Sequence, residues 1–591
     1  MVGKNISLST VKKIYANIPN GTTLASGTLQ QEVLCPHTIG IIVHEYGHWL
    51  FGLVHYEKIG YWGLMDGSAP GPMCAFERAK PAIGWVTPIL ISSNQMNVCL
   101  HDAITTGDIK KVEVTPGSSY YFLTENRQRL SYYESNWLQY NGGPLRVPGT
   151  GLLLTHVTST SAIDIECADK KWDWQKSGSN YVYPFVNLNP NPFAGLDEME
   201  LRNVSTTNGI QSHPDFKGDA DDTYKLGGYT MFSPWSNPNS NSVGGYGPKY
   251  FSDKSIILKS MNGSDMYIDF YTTLANNTFS ASSEATAFNS QRKLLRTSDG
   301  RLHLVFESEG EIFYRCTMTD GTTWENSTSV YLSTGNGNNK YPSITGTSTK
   351  QFVVWQRYNT TTGKYDTYFT KNTGSSWTTT TIANLSNLGF SSLTDPLPVV
   401  TYKNASGTQR LLVCVRSNSG IRFCYSDNDG SSWSAAANLP STTSDSKTPS
   451  LSMGPATPSS TVYVTYDDEG DVFFNTYNSS WGSVENVSSG SGCVENKNGS
   501  VEVDGNSGKN VAWEGKKTSN NKYVIVHKRK TSSWGVPKYF EPGSGNEFHR
   551  PSITGLAGIK RAIVWHDKYG CIYRAYTADG YNWSTFAISD G

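Results

Sequence analysis

Charge is scarce in this sequence. Asp, Glu, Lys and Arg make up 17% of its 591 residues, and 49 basic against 50 acidic side chains leave a formal net charge of -1. A chain so balanced has no broad basic field, so neither nucleic acid nor an anionic membrane surface is expected as a partner. Nowhere do eighteen apolar residues follow one another, which argues against a membrane-spanning helix. The nine cysteines, at 35, 74, 99, 167, 316, 414, 424, 493 and 571, include no CxxC pair, so a cysteine zinc site or a thioredoxin-type motif has no support. The opening "MVGKNISLSTVKKIYANIPNG" lacks the apolar centre and small-residue cleavage site of a signal peptide. Histidine is rare too, with eleven in the whole chain.

Glycine, by contrast, is abundant at 56 residues, and aromatics reach 12%. Together with frequent Ser, Thr and Asn, that composition suits short strands joined by tight turns and argues against disorder. The length calls for two to four domains. The second half repeats. Trp324, Trp377, Trp433, Trp481, Trp534 and Trp583 each close a short polar turn, with separations of 53, 56, 48, 53 and 49 residues. The landmarks "YPSITG", "LPVVTY", "TPSLSM" and "RPSITG" keep the same period, and apolar strands such as "QFVVWQR" and "RAIVWHD" follow them. A period near 50 with several strands per unit predicts a six-bladed β-propeller over residues 278–591. The turn "SDNDGSSW", Ser426 to Trp433, resembles the Asp-box of sialidase-like propellers, with Asn428 where the aspartate usually stands. Each tryptophan is expected to pin its hairpin against its own blade.

The rare histidines concentrate in "IIVHEYGHWLFGLVHYE". Residues 37–51 have apolar positions at helical spacing, including Trp49 and Leu50, and predict a buried helix that stops at Gly52. His44 and His48 then lie one turn apart on one face, beside Glu45, in an HExxH pattern. A hydrolytic zinc site needs a third protein ligand, and His55, three residues past the glycine, is the first candidate.

This stretch, with "YWGLMDGSAPGPMCAFERAKPAIGW", "YYFLTENRQR", "PGTGLLLTHV" and "GDADDTYKLGGYTMFSPWSNPNSNS", resembles the immune-inhibitor-A type of secreted bacterial metallopeptidase, a metzincin-like family, over roughly residues 37–274. The resemblance implies a secreted zinc endopeptidase of protein or peptide substrates, with zinc on His44, His48 and His55, Glu45 as general base, and Met65 in the Met-turn beneath the metal. Tyr56 or Tyr61 would assist at the oxyanion. Two departures stand out. The pattern here is HExxHxxxGxxH, one residue longer before the glycine than in metzincins, which keeps Glu77 open as an alternative third ligand, with Glu57 and Asp66 behind it. Only 43 residues precede His44, too few for the sheet that forms the upper half of a metzincin cleft. The chain is therefore expected to be truncated at its N-terminus, the signal peptide included.

The expected fold class is multidomain. An α+β zincin-like remnant holds the active-site helix and Met-turn over residues 1–100, a β-rich remainder of the peptidase unit follows over 101–277, and the all-β six-bladed propeller covers 278–591. Asp219, Asp221 and Asp222 form a candidate calcium group, since hard cations want several carboxylate oxygens. His156 in "LLTHVTS" reads as structural. Arg357, Arg416, Arg422 and Arg550 raise a sialidase-like alternative, and a non-catalytic adhesion protein carrying an inert zincin remnant is another. A glycan or surface protein is expected at the propeller, and a monomer in solution.

Overall fold

In the computed structural model the chain is described at residues 44, 47–56, 59–65, 72–131, 149–158, 163–169, 175–177, 180–182, 218, 220–236, 238–240, 252–274, 278–282, 285–286, 288, 290–318, 323–324, 330–333, 338–374, 376–386, 398–405, 408–453, 461–555 and 558–588. It divides into two compact units, residues 1–230 with 256–272, and residues 231–255 with 273–591.

The described part of the first unit is mostly β. Its larger sheet runs Ile89–Leu90, Ile109–Glu113, Tyr121–Arg127, Gly151–Val157, Ile163–Ile165, antiparallel except for the first pair. The fourth strand, "GLLLTHV", flanked on both sides, is buried along its whole length, as its apolar run demands. A second sheet pairs Gln95–Leu100 with Asp265–Tyr271, which in turn pairs with Ser255–Asn262. Among the described residues, α-helix is confined to residues 44 and 47–51 and to the short Ala75–Arg78 and Ala103–Thr106. The helical share expected of an α+β zincin is thus small in the described part. Trp49 and Leu50, expected inside, are 53% and 56% exposed, so the helix buries only its Gly47 side. Among the described residues no helix is long and apolar enough to cross a membrane.

The second unit is a β-propeller. Six sheets follow one another, each laid out in chain order from its first strand: Leu294–Arg296, Asn339–Gly346, Val399–Ala405, Lys447–Met453, Cys493–Val503 and Phe548–Gly555. Each is an antiparallel ladder of four strands, and the fourth carries a fifth, Glu485–Asn486. Residues 231–255, which the sequence placed with the peptidase remainder, belong to this unit. The reason is Trp235, buried with its ring edge-on to Phe306 of the first blade at 5.9 Å and the Arg315 guanidinium 5.0 Å away.

The repeating tryptophans do something different from what their spacing suggested. Five of the six pack edge-on against the preceding blade, at 4.8 to 5.3 Å: Trp377 on Tyr314, Trp433 on Phe369, Trp481 on Phe423, Trp534 on Phe474 and Trp583 on Phe540. Trp481 also meets Tyr477 of its own blade at 4.9 Å, and Trp324 lies under Arg315 of its own blade. The five are staples between neighbours, placed in the edge-to-face geometry that aromatic quadrupoles favour. The Asp-box turn delivers Trp433. Asn428 Oδ1 accepts from the Ser432 amide and the Ser426 hydroxyl, both at 2.9 Å, and Gly430, at φ +78°, lies so close to Phe369 that a Cβ would fall 2.2 Å from its ring. A second staple is polar. Ser450 Oγ accepts from the Val501 amide and Ser500 Oγ from the Ile553 amide, tying the innermost strands of blades four to six. Near the axis, Gln291 donates to the carbonyls of Tyr341 and Pro398, and Arg292 pairs with Glu502 at 2.8 Å, so the chain that enters the first blade is fixed to blades two, three and five.

Trp433→Ala should therefore loosen a junction between blades and not one hairpin alone. The expected loss is about 3 kcal/mol, the usual size for emptying a large aromatic site. Urea unfolding of the full chain measures it; a loss under about 0.5 kcal/mol, ordinary for a surface site, would mean the ring carries no inter-blade packing.

Candidate metal centre

Gly52 ends the helix that carries His44 and His48. At φ +62° it occupies a conformation that a β-carbon disfavours, and its amide and that of Leu53 return to the carbonyls of His48 and Gly47. The chain reverses, and His55 comes back over the face that carries His44 and His48. The three Nε2 atoms converge, with His44–His55 at 3.0 Å, His48–His55 at 3.0 Å and His44–His48 at 3.2 Å. His44 Nδ1 lies 2.7 Å from the Leu64 carbonyl and His48 Nδ1 2.7 Å from the Leu53 carbonyl. A carbonyl only accepts, so in each ring Nδ1 carries the proton and Nε2 presents its lone pair. Lone pairs at about 3 Å repel unless a cation sits among them. Nitrogens bound to one tetrahedral zinc at about 2.0–2.1 Å stand roughly 3.3 Å apart, close to the spacing seen. The donor set therefore fits zinc, and the two carbonyls are the outer partners that fix imidazole ligands.

Beneath the histidines, the dipeptide Leu64–Met65 uses all four of its backbone groups. Leu64 O accepts from His44, Met65 O accepts from the Tyr56 amide at 3.0 Å, and the amides of Leu64 and Met65 both donate to Glu77, at 3.0 and 2.6 Å. Glu77 also accepts from the Cys74 amide at 2.7 Å. Its carboxylate, fully buried, thus faces three amides and holds the turn from below. Burial pushes the Glu77 carboxyl up to about 7, against those amide bonds, which pull it down. Met65 is wholly buried and its sulfur touches Gly47, where a Cβ would meet Sδ at 2.7 Å. The small helix Ala75–Arg78 that carries Glu77 rests on the sheet through Glu125, which accepts from the Ala75 amide at 2.8 Å and pairs with Arg127 at 3.3 Å.

The other candidates are distributed differently. Glu45, Glu57, Asp66 and Asp219 lie outside the described residues. Asp221 pairs with Lys225 at 2.5 Å, whereas Asp222 is buried and accepts from the Trp62 indole at 2.6 Å, so these two carboxylates take separate partners. Tyr56 packs its ring edge-on to Phe76 in the core. His156 is buried beside Glu166 at 3.0 Å and lies 4.5 Å from the Phe122 ring. Of the four arginines, Arg357 donates to Tyr368 and Arg550 lies over Phe288.

One recurring feature of the propeller went unread in the sequence. In "KYPS", "KTPS", "KNGS" and "HRPS", the second residue, Tyr341, Thr448, Asn498 or Arg550, has a left-handed backbone, and the ladder skips a register there. The first residue of each faces a polar partner on the next strand: Lys340 and Gln356, Lys447 and Asp467, Lys497 and Glu514, His549 and His566. Backbone strain repeated at equivalent places, with polar side chains at each, marks a built end of the propeller. On blades five and six this end gathers Glu514, His549 3.6 Å away, the Tyr523 ring 5.4 Å from His549, and Lys497 over Tyr523 at 4.8 Å. Tyr523 donates to Glu495, and Glu514 accepts from the Arg550 amide at 2.7 Å. Burial pushes the neighbouring Asp467 up to about 7, while bonds from His549 and Arg550 hold Glu514 below its ordinary range despite burial. The four matching tetrapeptides were the signal available.

No family model matches the chain, and no curated protein matches it. Among solved structures it is similar to a fucose-specific lectin from Aleuria aurantia, at 13% identity over 49% of this chain and 90% of that one, with a TM-score of 0.32. It is also similar to the intramolecular trans-sialidase from Ruminococcus gnavus, at 10% identity over 51% and 96%, TM-score 0.33. A third likeness is to a PL25 polysaccharide lyase, an ulvan lyase, at 10% identity over 52% and 84%, TM-score 0.36. At such identities and scores these likenesses bear on neither the ligand nor the chemistry of this chain.

Proposed function

We propose that the first unit holds a zinc-dependent hydrolytic centre, an endopeptidase of the HExxH kind working outside the cell on protein or peptide substrates. The second unit, in this reading, is its binding module for a glycan or a surface protein. The observation that carries the proposal is the convergence of the His44, His48 and His55 lone pairs with the outer nitrogens of His44 and His48 fixed by carbonyls. Zinc, when bound there, supplies a water that ionises near neutral pH and a positive charge against developing oxyanion. Glu45 takes the proton from the attacking water and returns it to the leaving amine. Glu77 is left to hold the Leu64–Met65 turn, and the exposed Trp49, Leu50 and Val54 offer apolar contact beside the histidines. The charged and aromatic end of blades five and six supports the binding role.

Metal analysis and a peptidase assay on the full chain test the proposal. Glu45→Gln should keep zinc and lose peptidase activity, because the base goes and the ligands stay. Activity unchanged in Glu45→Gln would remove Glu45 from the mechanism. A wild-type chain that holds zinc at the three histidines but cleaves nothing would favour the second reading, a binding protein with an inert centre.

A further inference from the structure

Elsewhere in the first unit, three chemically different metal donors meet at a strand end. Cys99 and His101 are two apart along the strand Gln95–Leu100 and its continuation, so they share a face. The antiparallel register pairs Met266 with Leu100 and Tyr267 with Cys99, which sets Asp265 opposite His101. His101 Nδ1 lies 2.8 Å from Asp265 Oδ1, Cys99 Sγ lies 3.9 Å from either ring nitrogen, and one donor atom from each residue falls within 4.8 Å of the others. The His101 and Asp265 side chains are 52% and 35% exposed, and Cys99 is a half-buried free thiol.

The backbone under this group is fixed from within. Asn126, fully buried, donates from one amide nitrogen to the carbonyls of Leu100 and Ser264, both at 2.8 Å, and so clamps the residues beside His101 and Asp265. Asp108 accepts from the His101 amide at 3.0 Å, and Asp102 caps the next helix through the Thr105 amide at 2.9 Å. Donors on a frame held this way lose little freedom when they close on an ion. A plain histidine–carboxylate pair would account for His101 and Asp265 alone and would give the adjoining thiol no part.

We propose that Cys99, His101 and Asp265 form a second metal site, for zinc or a similar borderline divalent ion, with an open position toward solvent. One sulfur, one nitrogen and one oxygen suit such an ion; calcium and magnesium want oxygen throughout, and copper(I) wants more sulfur. Around tetrahedral zinc these donors stand about 3.3–3.6 Å apart, so closure asks at most about an ångström of movement, from side chains at the surface. The site is independent of the three-histidine centre and does not require it to be catalytic.

Cobalt(II) added to the metal-stripped full chain reads the site directly, because a thiolate ligand gives a near-ultraviolet charge-transfer band that a three-histidine centre lacks. The band should appear in the wild type and in the His44→Ala/His48→Ala double variant, and vanish in Cys99→Ser. Asp265→Asn should weaken zinc binding at this site by at least about tenfold. Zinc bound per chain should fall by one in Cys99→Ser, whatever the three-histidine centre holds. No thiolate band, or a band that survives Cys99→Ser, would overturn the proposal. A band kept in Cys99-containing protein while the histidine double variant loses no zinc would sink the three-histidine reading and leave this one standing.

Discussion

His55→Ala should release the zinc of the histidine centre, lowering affinity by more than about 100-fold, since loss of an outer partner already costs 10- to 100-fold. The variant should remain folded, because His55 is exposed and its backbone turn is fixed by Gly52 and by the Tyr56 amide bonded to Met65. Glu77→Gln should behave in the opposite way. An amide placed where the carboxylate stands turns an NH2 toward at least one of the three amides it now accepts from, leaving buried donors face to face. Each unsatisfied buried group costs about 1–3 kcal/mol, so the first unit should lose about 2–4 kcal/mol. Zinc affinity should then drop only through the loosened turn, by roughly tenfold. Equilibrium dialysis beside thermal unfolding separates the two outcomes. Stoichiometric zinc kept in His55→Ala but lost in a Glu77→Gln protein that unfolds like the wild type would give the third ligand to Glu77.

The convergence of the three histidines was legible because it is local. The spacing of His44, His48, Gly52 and His55 fixes which faces the rings share, and a glycine with a left-handed backbone is the residue that lets His55 return despite one more residue than the metzincin pattern. The role of Glu77 was not legible. It depends on amides 12 and 13 residues upstream, and a carboxylate near a metal motif looks the same in sequence whether it faces an ion or a turn. Asp222 is a like case: its partner, Trp62, is 160 residues away, so an acidic run gave no hint that one member is buried.

In the propeller, period and blade count were written in the tryptophans, but their direction of packing was not. A ring at the end of a hairpin can lie on its own sheet or its neighbour's, and only the sheet-to-sheet stacking that puts Phe369 under Trp433 decides it. Residues 231–255 show the same limit. Nothing in "MFSPWSNPNSNS" says that Trp235 will find Phe306 and Arg315, and the compact unit therefore starts earlier than the repeats do.

His527 should make the propeller's stability depend on acid in a way one substitution removes. The imidazole is buried in the fifth blade, with Nε2 3.2 Å from Asn510 Oδ1 and its ring 5.2 Å from Trp583. Burial first, then the charges of Arg561 and Arg529, bring its pKa down to about 3, only partly opposed by Asp504, which Arg529 engages at 2.7 Å. The unfolded chain takes up a proton near pH 6.5, whereas the folded one does not until about pH 3. The stabilisation that comes from keeping this ring neutral is therefore complete above pH 6.5 and is lost as the pH falls from there toward 3. His527→Gln keeps an amide donor for Asn510 but has no proton to take up. At pH 7 the variant should be less stable by about 1–2 kcal/mol through lost packing. By pH 4 the difference should have moved about 3 kcal/mol in the variant's favour, leaving it the more stable of the two. Asp467, raised to about 7, shifts stability the other way over part of this range, but it is present in both proteins and drops out of the comparison. Urea unfolding of both full-length proteins between pH 7 and pH 4 gives the difference; a gap that stays constant would show that His527 binds protons equally in the folded and unfolded chain.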